Sequence, residues 1–253
     1  MHENQNGCIF IEFSMDDPTL LSNQVYQSEA YQIYLRLHNF SVNHYVFAKN
    51  YEEIKELLLA AESSETFHLI WAQDKQQEML QVTRELMRRF HNYLASAKML
   101  IDHTRTLVNE NYAYSPFIQE YQAEVQSQFI GNPLSGFIED LRNYALHFQL
   151  PFTAGRIKPA DGKNAQRFIL HTDQLMAWSK WTSKGKPYLE SSGEEIVVTN
   201  LIDEYFNCVN NFHKWVSNRI EEIHKDELQW LEEMENRIQD ALKKLRNGIE
   251  RLE

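Results

Sequence analysis

The 253-residue chain is 43% hydrophobic and 12% aromatic, enough to bury a core, which excludes a wholly disordered polymer. A formal net charge of −11 excludes an overall electrostatic pull on nucleic acid, so any work on RNA or DNA needs a local basic patch. Cys8 and Cys208 lie far apart, so neither a disulfide framework nor a cysteine zinc site is expected, and a reducing compartment suits both.

Eight glycines and six prolines leave few places to turn, so the elements should be long and mostly helical. The N-terminus has no basic leader pattern, and no stretch approaches the ~20 apolar residues of a membrane span. The expectation is a soluble, cytoplasmic protein without a membrane partner. "CIFIEF" (8–13) reads as a strand or an extended arm. A first helix is predicted from Pro18 to about His38, with Asp16 and Asp17 as caps and Pro18 in the first turn. Asn50 is expected to open a second, "YEEIKELLLAAE", and "FHLIWA" to form a strand or linker. The longest central helix should cover 74–110, where Met79, Leu86, Phe90, Tyr93, Ala97, Leu100, Thr104 and Leu107 recur at helical spacing. Ser115-Pro116 opens a further helix. Asn132-Pro133 opens the next, which must end before Pro151.

Beyond Pro151 a β-hairpin is predicted at about 153–171, turning at Asp161-Gly162. "DQLMAWSKW" reads as a short helix and "TSKGKPYLESSG" as a loop. From 193 onward a 3–4 rhythm continues with one slip near Leu228, the pattern of one long helix that bends back or packs between subunits. The predicted fold class is mainly all-α: a helical bundle over 1–192 with a small β-hairpin insertion, and a long C-terminal helix over 193–253.

The helix "LSGFIEDLRNYALHF" concentrates the chemistry. On a wheel, Leu134, Phe137, Ile138, Leu141, Ala145 and Phe148 form the buried stripe. Asn143 and His147, four apart, share the opposite side, with Asp140 beside them and Arg142 on the flank. A histidine moves protons near neutral pH, and a guanidinium forks onto phosphate oxygens as charge builds. Together they suit RNA cleavage without a metal. One helix supplies only one histidine, so acid and base together call for a second copy across a two-fold axis.

"FIEDLRNYALHFQLP" resembles the HEPN superfamily, all-helical domains marked by Arg, a polar residue, a short spacer and His near a helix end. Arg142, Asn143 and His147 match that signature residue by residue, and "FHNYLASAKMLIDHTR" looks like the long preceding helix of bacterial members. The likeness covers about 74–152. It implies a homodimeric bundle whose signature helices meet, and in active members a metal-independent endoribonuclease of the toxin–antitoxin or phage-defence kind. His147 would transfer the proton, Arg142 stabilise phosphate charge and Asn143 orient them. An antitoxin or other protein is an implied partner, and other members are non-catalytic scaffolds.

The same Arg-to-His spacing recurs at Arg219 and His224, where Glu221 and Glu222 make it a solvated helix face. Asp102, His103, Arg105 and Asp140 form a candidate second layer around the signature. Arg156, Lys158, Lys163 and Arg167 surround the predicted hairpin and are the candidate RNA contacts. Lys180, Lys184 and Lys186 beside Trp178 and Trp181 form another basic–aromatic cluster. His38/His44 and His91/His103 lack metal-ligand spacing, and no nucleotide fingerprint occurs, so neither metal nor cofactor is expected. The competing reading is a non-catalytic helical interaction module.

Overall fold

The computed structural model describes residues 17–63, 76–151, 153–160 and 163–249. The readings at 8–13 and at "FHLIWA" lie outside them, as does the turn pair Asp161-Gly162. Nine helices and one sheet of three strands account for the described chain, a mainly all-α fold. No helix among these residues is long and apolar enough to cross a membrane. The chain divides into two compact units, Met1–His38 with Arg219–Glu253, and Asn39–Asn218.

In the first unit, α1 (Pro18–Tyr26) starts where sequence places it, because Asp17 accepts from the N–H of Thr19 at 2.7 Å and of Leu20 at 3.3 Å. It stops twelve residues before the expected end, since Ser28 interrupts the helical ladder. The Ser28 hydroxyl donates to the Val25 carbonyl at 2.7 Å and accepts from Tyr31 N–H at 3.1 Å, ending one helix and capping the next. That next helix, α2 (Glu29–Glu62), runs straight through Asn50. Asn50 does not cap, because its side-chain amide donates back to the Val46 carbonyl at 2.8 Å. The single long C-terminal helix is likewise two, which we label α8 (Val198–Ile223) and α9 (Lys225–Ile249). They meet at His224, close to the slip in the apolar rhythm, and Asp226 and Glu227 occupy the first turn of α9. Leu21 packs against Met234 and Ala241, with Val25, Trp230 and Ile238 around them.

The second unit holds the larger core. α3 (Gln76–Asn111) buries Leu86, Phe90, Tyr93, Ala97, Leu100 and Thr104, the periodic positions of the sequence. α4 (Phe117–Gln128) and α5 (Pro133–His147) follow, the latter capped by Asn132, which accepts from Leu134 N–H at 3.0 Å. The hairpin is present as β1 (Thr153–Ala160) and β2 (Lys163–His171), paired from Thr153↔Leu170 to Ala160↔Lys163. α6 (Thr172–Met176) and α7 (Lys186–Ser191) come next, so the expected loop around "KPYLES" contains a helix begun by Pro187. Gly193, at φ 72°, then turns the chain into β3 (Glu195–Val197), a strand that the helical reading of this stretch missed. β3 pairs with β2 through Ile169↔Val197 and His171↔Glu195.

The carboxylate of Glu62, at the end of α2, ties this sheet to α8. It accepts from Phe168 N–H at 2.9 Å, from Arg167 at 3.1 Å and from the Thr199 hydroxyl at 3.3 Å. Three donors on one buried carboxylate fix the register of β2 against α2 more firmly than apolar contact alone. Elsewhere Tyr93 donates to the Ile202 carbonyl at 3.0 Å, locking α3 to α8.

His213 lies between Phe40 and His44, with ring centroids 4.1 Å from each. Burial, with His44 beside it, lowers its pKa from 6.5 to about 3, while a Phe40 backbone hydrogen bond works the other way. His44 is also lowered, chiefly by burial. In the unfolded chain His213 titrates near 6.5, so between about pH 3 and 6.5 the unfolded state binds the extra proton. Its effect on stability is absent above pH 6.5 and destabilising as pH falls toward 3, by up to about 1.4 kcal/mol per pH unit. Urea midpoints should therefore drop from pH 7 to pH 5, and drop less in His213→Phe. Equal pH dependence in both proteins would contradict this.

Candidate functional site

Helix α5 carries the signature, and its orientation rests on Asp140. Gly136, Asp140 and Tyr144 stack at four-residue steps on one buried row. Asp140, only 2% exposed, accepts from both the N–H and the hydroxyl of Thr182, each at 2.8 Å. The wheel's placement of Asp140 in line with His147 holds, but this position is buried and not an open polar surface. A wheel gives angles but not neighbours, and the segment around Thr182 supplies the donors that let a carboxylate be buried. Asp140 therefore does not support His147; it positions the helix.

Two glycines make that packing close. A Cβ on Gly136 would meet Lys184 backbone at 2.6 Å, and one on Gly185 would collide with the Asp140 carboxylate. Around them Phe137 stacks on Trp181 at 5.4 Å and on Tyr188 at 4.9 Å, and Tyr144 meets Trp178 edge-on at 5.6 Å. Trp181 Nε1–H donates to the Leu175 carbonyl at 2.7 Å. Trp178 and Trp181 are thus packing groups beneath α5 and not a stacking platform for bases, which corrects that cluster's aromatic half.

Arg142 and Asn143 lie to the sides of the row of Gly136, Asp140 and Tyr144, and His147 continues it past the end of the packed segment. Arg142 and Asn143 are half-buried, joined by a 3.4 Å hydrogen bond, and His147 is exposed on the last turn. Among the described residues His147 has no hydrogen-bond or ion-pair partner. Phe148, expected in the buried stripe, is 53% exposed because α5 ends at His147; Leu146 and Leu150 are 44% and 43% exposed beside it. An apolar rim around an exposed histidine is therefore part of this surface.

Arg142 lines two hollows. The smaller, about 230 Å³, also has His91, Lys98 and Asp102 in its wall, with Met99, Ala145 and Leu146. The larger, about 530 Å³, lies between α3, α4, α5 and α8. His147 lines neither. Asp102 pairs with Lys98 at 2.5 Å and Arg105 at 3.6 Å, which keeps it a charge partner of its own helix and leaves His147 without it. His103 is exposed. The residue that sequence reasoning passed over is His91, one face with Lys98 at a seven-residue step and in the same hollow as Arg142.

Of the hairpin cations, Arg167 is paired with Glu62, well away from the hairpin tip. In the ladder Arg156 stands opposite Arg167, Lys158 opposite Ala165 and Lys163 opposite Ala160, so the four basic positions belong to one alternating set. The second Arg-to-His pair is a surface feature, with Arg219 bonded to Glu222. Among the described residues no cluster of three or more His, Cys, Asp or Glu could hold a metal ion. No family model matches the chain, and neither does any curated protein or solved structure.

The Asp140 pair can be tested directly. Asp140→Ala leaves two buried donors unsatisfied and should lower stability by about 2–3 kcal/mol, whereas Asp140→Asn keeps an acceptor and should cost less. Urea denaturation measures both; an Asp140→Ala midpoint equal to wild type would contradict the role.

Proposed function

We propose that the protein is a HEPN-like homodimer that cuts RNA without a metal, using Arg142, Asn143 and His147. The observation that carries this reading is the end of α5: a guanidinium and an amide in mutual contact and, four residues beyond the amide, an exposed histidine without a hydrogen-bond or ion-pair partner among the described residues. The apolar rim of Leu146, Phe148 and Leu150 supports burial of this face against a second copy. Meeting of two such faces brings a second histidine, so one His147 removes the proton of the attacking 2′-hydroxyl and the other protonates the leaving 5′-oxygen. Arg142 from either chain holds the phosphate as its charge grows. Arg156, Lys158 and Lys163 are the local positive charge proposed for RNA in this acidic chain, Arg167 being paired with Glu62. A toxin-like role kept silent by a protein partner in the cytoplasm follows from the same reading.

A second reading has one observation of its own: His91, and not His147, shares a hollow with Arg142 and Lys98. In that case acid–base work belongs to His91 within a single chain.

Purified protein is incubated with total RNA in excess chelator. The dimer reading predicts fragmentation that falls at least about 100-fold in His147→Ala and Arg142→Ala and persists in His91→Ala. Loss in His91→Ala with activity kept in His147→Ala moves the site to the hollow. Intact RNA with every protein, folding being verified by circular dichroism, leaves the non-catalytic interaction module.

A further inference from the structure

We infer that the 530 Å³ groove beside α5 is a binding site for a small amphipathic carboxylate, independent of RNA cleavage although Arg142 borders both. Its volume falls in the range that encloses a drug-sized ligand. Along α3 it extends from Leu94 to Arg105, eleven steps, or about 16 Å at the helical rise. Leu100, Ile101, Val125, Phe129 and Phe212 give it apolar walls.

Charge selects the head group. Lys98, Arg105, Arg142 and Lys184 line the groove against one carboxylate, Glu139, in a chain whose net charge is −11. Asp102 offsets Lys98 and Arg105 from behind. Arg142 and Lys184 have no ion-pair partner among the described residues. The first turn of α5 borders the groove through Asn132, Pro133, Ser135 and Gly136; Asn132 already accepts from the N–H groups of Leu134, Ser135 and Gly136, so this end adds only the helix dipole.

Two buried polar atoms distinguish the groove from a packing fault. His213, 7% exposed, and Ser135 both line it, and neither His213 Nε2 nor Ser135 Oγ has a hydrogen-bond partner among the described residues. Empty cavities in proteins are lined by apolar groups, whereas buried polar atoms are normally satisfied. A carboxylate held by Arg142 and Lys184, with its apolar body along α3, uses the cations and the walls together.

The full-length protein is titrated calorimetrically with octanoate, dodecanoate and naphthoate, and with dodecanol and dodecylamine as uncharged and cationic counterparts. At least one carboxylate should bind one-to-one at or below millimolar concentration, and the amine should not. Lys184→Met, at an exposed position, should weaken binding about tenfold. Ile101→Trp, which fills the groove from a partly exposed position, should abolish it while the circular dichroism spectrum stays that of wild type. The proposal is overturned if none of the three carboxylates binds, if dodecylamine binds as well as dodecanoate, or if both variants bind like wild type. A misfolded Ile101→Trp leaves the decision to Lys184→Met and the amine. RNA fragmentation does not enter this readout, so failure here and failure of the ribonuclease reading are separable.

Discussion

A buried carboxylate that accepts two hydrogen bonds from one threonine sets the direction of everything on α5. Asp140 has no ion-pair partner among the described residues, so its burial depends on Thr182 presenting N–H and O–H together at 2.8 Å. Once that contact forms, the row Gly136, Asp140 and Tyr144 must face inward. Arg142 and Asn143 then fall to the sides of that row and stay half-buried, while His147, seven residues past Asp140 and so in line with it, is exposed because α5 ends there.

The close approach at Gly136 and Gly185 and the aromatic cluster of Phe137, Tyr144, Trp178, Trp181 and Tyr188 fill the space behind that contact. Rigid backing of this kind is what the proposed site on α5 would need. The same packing brings the segment around Lys184 to the mouth of the large groove. Arg142 consequently borders the outer face, the small hollow and the groove at once.

Much of the fold was legible because it depends on local chemistry. Asp17 and Asn132 cap where a short acceptor precedes proline, the stripe of α3 follows helical spacing, and the hairpin pairs as its alternating residues require. The errors arose where a side chain chose between two local partners. Ser28 breaks a helix that periodicity continues, and Asn50 bonds back within a helix it was expected to open. Residues 195–197 add a strand because β2 offers an edge, a fact of topology and not of sequence pattern. In the candidate site, the exposure of His147 and the half-burial of Arg142 and Asn143 agree with the polar side that the wheel assigned them. Asp140, the two tryptophans and His91 were not legible in the sequence, because their roles depend on Thr182, on the underside of α5 and on α3, all remote in the chain.

The central claim is that two copies meet through the outer face of α5 with His147 at the seam. Oxidative cross-linking tests it most directly. In a background carrying Cys8→Ser and Cys208→Ser, a cysteine is placed at His147 and, as a control, at exposed Glu190. Disulfides form only where Cα atoms approach within about 4.4–6.8 Å. The account predicts a covalent dimer with His147→Cys at protein concentrations where Glu190→Cys stays monomeric. Monomer from both would contradict it, removing the two-fold site and leaving the single-chain hollow around His91 and Arg142.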